Sequence, residues 1–202
     1  MAADKPDMPE GGNPAFGQAA LLLAEIERLK EDIARAQRTI AELEARADID
    51  PLLEILNRRG FERELKRSLA YMQRYGAEAA LLFIDLDGFK SVNDQHGHAA
   101  GDALLKAVTA ALTAHVRASD IVARLGGDEF GVLIWNASET HAAAKARELE
   151  RIVGAVSVDY GEARLAAGAS VGSVPLVADA SPAHMIDAAD RAMYARKRER
   201  KA

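Results

Sequence analysis

Arg124-Leu125-Gly126-Gly127-Asp128-Glu129-Phe130 lies between two short apolar runs, 121–123 and 131–134. Two β-type runs on either side of a Gly-Gly pair predict a hairpin, and the glycines leave its backbone open to close approach by a ligand. Because neighbouring residues of a strand point to opposite faces, Asp128 and Glu129 should have different surroundings and different tasks. By itself the pattern fits a solvated acidic turn about as well as a binding site, since turns favour these residue types.

Length and composition limit the class of protein. The 202 residues suffice for one ordinary domain plus an appendage, and an apolar content of 49% is typical of a globular chain. A net charge of −5 argues against a general nucleic-acid binder, and the absence of cysteine excludes disulfides and thiolate metal sites. Neither a signal pattern nor an apolar run of about 20 residues is present. We therefore expect a cytoplasmic protein with no nucleic-acid or membrane partner.

The first 49 residues differ in character from the rest. Residues 1–17 are rich in proline and glycine, which predicts a flexible tail. Residues 18–49 predict a long dimerising helix, because β-branched and leucine side chains alternate at the two seam positions of a parallel two-stranded coiled coil. The alternative is a helix packed on its own domain. The apolar positions are Ala19, Leu22, Ile26, Leu29, Ile33, Ala36, Ile40, Leu43 and Ala47.

A folded domain is predicted over 50–202, because the pattern breaks at Asp48-Ile49-Asp50-Pro51. We expect a helix from Leu52 to Tyr75 and then a strand over 79–84, whose continuous apolar run is typical of a strand covered on both faces. Helices follow over 103–112 and 138–153, then a strand pair around 156–158 and 165–174. A last helix should begin near Pro182.

The strand over 79–84 ends in Asp85-Leu86-Asp87-Gly88-Phe89-Lys90. Carboxylates at the end of a buried strand are costly unless they are paired or bound to a metal, and Mg²⁺ prefers oxygen ligands. Asp85 beside the hairpin carboxylates would form such a site, with main-chain N–H groups after Gly88 and the charge of Lys90 available to phosphate. The alternative is an ordinary turn rich in Asp and Gly.

Side chains suited to a guanine edge follow. The amide of Asn93 can face the acceptors of the base, and a carboxylate such as Asp102 can accept from its N–H donors, although Asp102 would also serve as a helix cap. His98 is more typical of a turn than of a catalytic base. The basic helix end 196–201 suits the helix dipole and could also neutralise a triphosphate.

Together these strings resemble the GGDEF family of diguanylate cyclases over about residues 48–201. The resemblance implies an α/β (α+β) palm-like nucleotidyl cyclase fold, with a mainly antiparallel central sheet wrapped by helices. The strings that carry it are 84–94, 97–102, 124–130, Ser170-Val171-Gly172 and 189–194.

The resemblance also implies residue roles. Asp85, Asp128 and the carbonyl of Leu86 would hold Mg²⁺, with Mn²⁺ as an alternative, and Glu129 would assist deprotonation of the ribose 3′-hydroxyl. Gly127 would leave space for the nucleotide. The remaining GTP contacts would be Asn93 and Asp102 at guanine, Lys90, Lys197, Lys201, Gly88 and Phe89 at the phosphates, and His98.

The implied reaction joins two GTP molecules into cyclic di-GMP and releases two pyrophosphates. Each domain would hold one GTP, so a homodimer through residues 19–47 would be part of the mechanism. Arg117 and Asp120 have the spacing of the family's product-binding inhibitory site; a weak surface pair is the alternative. A catalytically silent cyclic di-GMP receptor and a cyclase with relaxed base choice are the alternative functions.

The chain departs from the family pattern at both ends of the domain. Leu53-Glu54 replaces the usual Thr-Gly, Arg200 stands where glycine is usual, and Lys201 stands where arginine is usual. A lysine would give phosphate a single contact in place of a planar fork. Arg147 and Arg151 are candidates for a secondary inhibitory arginine.

Overall fold

The computed structural model describes residue 23, residues 25–35, residue 37 and residues 48–201, with the side chain of Lys201 excepted. The chain forms two compact units, 1–46 and 47–202. The predicted tail (1–17) and much of the predicted dimerising helix (18–49) lie outside the described residues. None of the helices in the described part has the length and apolar character that crossing a bilayer requires.

The first unit contains an α-helix over 25–35, here α1, with residues 23 and 37 also helical. Four large apolar side chains on it are 46–63% exposed, so the described part of this unit leaves them uncovered. They are Leu23, Ile26, Leu29 and Ile33. The predicted helix is confirmed for these residues, and its pairing with a second helix stays a prediction.

The second unit is built on a five-stranded sheet with the order β1-β3-β4-β2-β7. The strands are β1 (Leu56–Asn57), β2 (Ala79–Asp87), β3 (Ile121–Arg124), β4 (Glu129–Trp135) and β7 (Gly168–Pro175). Only β1 and β3 pair in parallel, and the other neighbours are antiparallel. A separate hairpin joins β5 (Ser157–Tyr160) to β6 (Ala163–Ala166). The helices are α2 (Arg58–Tyr75), α3 (Phe89–His96), α4 (His98–Ala114), α5 (Glu139–Gly154) and α6 (Pro182–Lys201).

Strand β2 is buried on both faces, as its apolar run predicts. Leu82 and Ile84 pack in one apolar cluster with α4 and α5, while Leu81 and Phe83 pack in the other with α2 and α6. The mainly antiparallel sheet wrapped by helices is therefore confirmed. This packing fixes the end of β2, where Asp85 lies, against β4 and β7.

Two predicted elements were wrong. The helix expected from Leu52 begins only at Arg58, because the side chain of Asp50 accepts the N–H groups of Leu52 at 3.0 Å and Leu53 at 2.9 Å and holds a turn there. Asn57 then caps the helix by accepting the Gly60 N–H at 3.0 Å. The strand expected over 165–174 is in fact β6 followed by β7, which pair with different strands. The predicted stop at Gly76 is correct, since its φ of 66° is the left-handed cap conformation.

Glu54→Gly is expected to stabilise the fold by about 1 kcal/mol, because Glu54 has a φ of 56° that costs a residue with a Cβ about that much. For a domain of this size, such a gain corresponds to a rise of about 2–4 °C in Tm. Thermal unfolding followed by circular dichroism measures it. Asn136→Gly is the matched control, since Asn136 has a φ of 51° but asparagine tolerates this region and should gain less. A lower Tm for Glu54→Gly would contradict the strain argument.

Candidate functional site

Strand register brings three carboxylates to one end of the sheet. Asp85 on β2 lies opposite Glu129 on β4, and the Leu86 N–H donates to the main-chain oxygen of Asp128 at 3.1 Å. These are the residues that the sequence selected for metal binding and proton transfer. Their proximity follows from the antiparallel pairing of β2 with β4.

Asp128 and Glu129 have different surroundings, as strand alternation predicts. Burial raises the pKa of Asp128, and the neighbouring charge of Asp85 raises it further, against weaker opposing effects from Lys197 and Arg124. Burial also raises the pKa of Glu129; Arg58 opposes this increase and Asp190 adds to it. Two carboxyls held in conditions that disfavour their charge are typical of a site built for a cation or a proton.

Glu129 lines an open cleft of about 250 Å³ between α2 and α6. Arg58 Nη2 lies 3.6 Å from Glu129 Oε2, and Asp190 and Asp187 line the same cleft. The guanidinium of Arg58 is therefore placed to orient the Glu129 carboxylate without forming a close pair with it.

Lys197 reaches the acidic end of β2 from α6. Its ammonium group donates a hydrogen bond to Asp85 and lies 3.5 Å from Asp87 Oδ1. Burial would lower the pKa of Lys197, but the hydrogen bond and charge of Asp85 outweigh this effect and raise it. The predicted phosphate-binding lysine thus lies beside the predicted metal carboxylate and balances its charge.

Arginine side chains hold the hairpin turn in place. Arg124 donates to the carbonyl oxygens of Gly126 at 3.0 Å and Gly127 at 2.8 Å, and its Nη1 lies 3.1 Å from Asp50 Oδ2. Arg58 Nε donates to the Leu125 oxygen at 2.8 Å. Neither Arg58 nor Asp50 was predicted from the sequence to act at the site. Their partners lie 67 and 74 residues away along the chain, a separation over which no periodic pattern extends.

The candidate guanine contacts lie on adjoining helices, Asn93 on α3 and Asp102 on α4. The Oδ1 atom of Asn93 is buried and has no hydrogen-bond partner among the described residues. A Cβ at Gly101 would come within 2.0 Å of that oxygen, so glycine is needed there for Asn93 to keep this position. The cap alternative for Asp102 was wrong, because α4 is capped by the backbone of Gly97.

The predicted phosphate contacts surround the start of α3. Gly88 has a φ of 85° and precedes the buried Phe89, while Lys90 is exposed one residue further on. A Cβ at Gly127 would meet nothing within 4 Å, which leaves open space over the hairpin. His98 is exposed at the first residue of α4, and the side chain of Lys201 lies outside the described part.

The predicted inhibitory pair lies at the other end of β3 and β4. Asp120 accepts the main-chain N–H of Arg117 at 2.9 Å and that of Trp135 at 3.1 Å, so its carboxylate stabilises the loop. The side chain of Arg117 is exposed and its guanidinium can bind a ligand. Both residues line an open cleft of about 310 Å³ that also contacts His141 and Lys145.

The two candidate secondary arginines, Arg147 and Arg151, are exposed on α5. Arg147 lines a separate cleft, which it shares with Arg196 and Glu150.

Comparison with known proteins extends these observations. Residues 47–202 match the family model described as "Diguanylate cyclase, GGDEF domain". The diguanylate cyclase TpbB of Pseudomonas aeruginosa is 36% identical over 95% of this chain and 45% of its own length. The probable diguanylate cyclase DgcE of Escherichia coli is 39% identical over 83% of this chain and 15% of its own length. The chain thus spans less than half of either relative.

Solved structures agree with this match. A sensory box/GGDEF family protein from Caulobacter crescentus superposes with a TM-score of 0.70 at 35% identity, over 75% of this chain and 99% of that one. The coiled coil and GGDEF domain of DgcB from the same organism, in complex with c-di-GMP, gives a TM-score of 0.70 at 26% identity, over 92% of this chain and 95% of that one.

Proposed function

Because this chain belongs to the GGDEF family of diguanylate cyclases, we propose that it is an active cyclase, which condenses two GTP molecules into cyclic di-GMP and releases two pyrophosphates. The observation that carries this proposal is the meeting of Asp85, Asp128 and Glu129 at one end of β2 and β4, with the pKa of Asp128 and of Glu129 raised by burial. Burial of these carboxyl groups lowers the stability of the fold. A receptor without catalytic activity would gain nothing from keeping all three together, whereas a cyclase uses them.

The donor set fits Mg²⁺, or Mn²⁺ in its place. Two carboxylates and a carbonyl oxygen, from Asp85, Asp128 and Leu86, are hard ligands. Within the described residues no group of three His, Cys, Asp or Glu side chains forms a metal site, so substrate phosphates would complete the coordination. When bound, such an ion supplies a Lewis acid for the phosphoryl oxygens and lowers the pKa of the attacking hydroxyl.

Glu129 is the proposed proton acceptor for the ribose 3′-hydroxyl. Burial raises its pKa, which makes it a stronger base than an exposed glutamate. Arg58 lies close enough to keep the carboxylate oriented. The proton therefore moves to the Oε atoms of Glu129 as the 3′ oxygen attacks the α-phosphate of the second GTP.

The other predicted contacts bind and orient the nucleotide. The unpartnered Oδ1 of Asn93 and the half-buried carboxylate of Asp102 are the proposed guanine contacts. Lys90, Lys197 and the N–H groups around Gly88 are the proposed phosphate contacts, since α3 begins at Phe89, directly after Gly88 and the end of β2.

Two domains must face each other, because each would hold one GTP. The exposed apolar stripe on α1 supports a coiled-coil homodimer, since such a stripe in water favours burial against a second copy. The DgcB structure that this chain resembles comprises a coiled coil and a GGDEF domain, which supports the same arrangement here.

Incubation of the full chain with GTP and Mg²⁺ tests the proposal. Chromatography and mass spectrometry should identify cyclic di-GMP and two pyrophosphates for each product formed. A parallel incubation with ATP tests base choice, and the Asp102 carboxylate predicts little turnover because adenine lacks the guanine N–H pair. If no cyclic dinucleotide forms at any protein concentration, the enzyme proposal is wrong and the receptor alternative is retained.

Product inhibition is part of this proposal, with Arg117 as the product-binding residue. Arg117→Ala is expected to weaken cyclic di-GMP binding by about tenfold or more, because a guanidinium contact to phosphate or guanine is worth about 1.5–3 kcal/mol. Calorimetric titration with cyclic di-GMP measures this loss, and the uninhibited rate should not change. Arg164→Ala on the β5–β6 hairpin is the matched control. Unchanged product affinity in Arg117→Ala would show that the inhibitory assignment is wrong.

A further inference from the structure

The last turns of α6 present a second cation to the acidic end of β2. Arg200 lies three residues after Lys197, so the two side chains share one face of the helix. Arg200 Nη1 lies 3.3 Å from Asp87 Oδ2 and also donates to the carbonyl oxygen of Ala169 on β7. From the sequence, Arg200 was expected only to be part of the basic helix end 196–201, at a position where glycine is usual in the family.

The pairing of Arg200 with Asp87 leaves Arg200 able to take another ligand. Its side chain is 42% exposed, and Asp87 also accepts the hydroxyl hydrogen bond of Ser170 at 2.9 Å, so the carboxylate keeps a partner when the guanidinium turns away. An exposed ion pair of this kind contributes little to stability. Exchange of one oxygen partner for another therefore costs little.

The charges around Arg200 favour a strongly anionic ligand. Asp85 and Asp87 are faced by the two cations of α6, Lys197 and Arg200. Asp85 and Asp87 would hold a divalent cation that accompanies a triphosphate, and Lys197 and Arg200 would then be available to the phosphate oxygens. The planar guanidinium can contact two phosphate oxygens at once, which an ammonium group cannot do.

We propose that Arg200 is a substrate-binding residue for the outer phosphates of GTP, and that it supplies the planar fork that Lys201 lacks. This inference rests on the proposed function. If Arg200 only linked α6 to the Ala169 carbonyl by a hydrogen bond, its loss would lower the stability of the fold. Such a loss would not change the preference for a triphosphate over GMP.

Calorimetric titration of the full chain with Mg²⁺ and a non-reacting α,β-methylene GTP, and separately with GMP, tests the assignment. Arg200→Ala is expected to weaken triphosphate binding by about tenfold and GMP binding by less than about twofold. Arg200→Lys should be intermediate. Arg198→Ala, an exposed residue of the same helix turn, is the matched control and should bind both ligands like the wild type.

Two results would overturn the assignment alone. In one, the wild type makes cyclic di-GMP and Arg200→Ala binds the triphosphate with wild-type affinity. In the other, Arg200→Ala loses GMP and triphosphate affinity equally, with a lowered Tm, as a packing role requires. A wild-type chain that binds neither nucleotide would overturn the proposed function and this inference together.

Discussion

Glu129→Gln is expected to lower the kcat for cyclic di-GMP formation by about 10²–10⁴-fold, with GTP affinity nearly unchanged. The factor is the usual contribution of a positioned general base. The amide fills the same space and can still contact Arg58, but it cannot accept the 3′-hydroxyl proton. Steady-state rates together with titration of a non-reacting GTP analogue separate the loss of chemistry from any loss of binding.

The same variant is expected to be more stable than the wild type at neutral pH. Burial raises the pKa of Glu129 in the folded state, so the folded protein is favoured while this group is protonated and loses that advantage as the pH rises through the raised pKa. Gln does not ionise. The Tm of Glu129→Gln should therefore exceed that of the wild type at pH 7, and the difference should shrink as the pH falls below the ordinary pKa of 4.5.

Glu62→Gln is the control for this experiment, because Glu62 lines the same cleft as Glu129 but has no part in the proposed chemistry. Its kcat should match the wild type. Full activity of Glu129→Gln would remove Glu129 from the mechanism, and a lower Tm at pH 7 would contradict the pKa argument.

Ile26→Asp combined with Ile33→Asp is expected to make the chain monomeric and to reduce the rate per chain by about 10²–10³-fold at 1 µM. A flexible tether holds its partner at an effective concentration of roughly millimolar, and its loss returns each domain to the bulk concentration. Both isoleucines belong to the exposed apolar stripe of α1, where a carboxylate would have to be buried on pairing. The lost rate should return as the protein concentration is raised.

Analytical ultracentrifugation and specific activity at several concentrations measure these effects. Arg28→Asp changes the charge by the same two units but replaces a residue off the stripe, whose ion pair with Glu25 is exposed, so it should remain dimeric and active. A wild-type chain that is monomeric at micromolar concentration, or a monomeric double variant with full activity, would contradict the proposal that the coiled-coil homodimer is needed for activity.

Local patterns in the sequence were sufficient for much of the fold. The apolar run of β2 predicted a strand buried on both faces, and Gly76 predicted the end of α2, because burial periodicity and left-handed backbone are encoded within a few residues. The hairpin at 126–130 was also predicted correctly, from its two glycines and the apolar runs on either side. The failure at 52–57 had a local cause that apolar spacing does not report, namely the side-chain hydrogen bonds of Asp50.

The sequence predicted which carboxylates form the candidate site but not which cations pair with them. The strings around Asp85 and Asp128 selected the carboxylates, since those residue types are rarely placed at the end of a buried strand without a task. Their ion-pair partners were not predictable, because Lys197 lies 112 residues from Asp85 and Arg200 lies 113 from Asp87. No periodic signal operates over such a separation.

The sequence by itself therefore determined most of the secondary structure and the buried strand, because hydrophobic periodicity and backbone preference act locally, and its motifs identified the acidic groups. Only the tertiary structure decided which cation faces which carboxylate and which pKa values are raised. Those properties depend on distance and burial, which arise when α2 and α6 pack against the sheet and β2 pairs with β4.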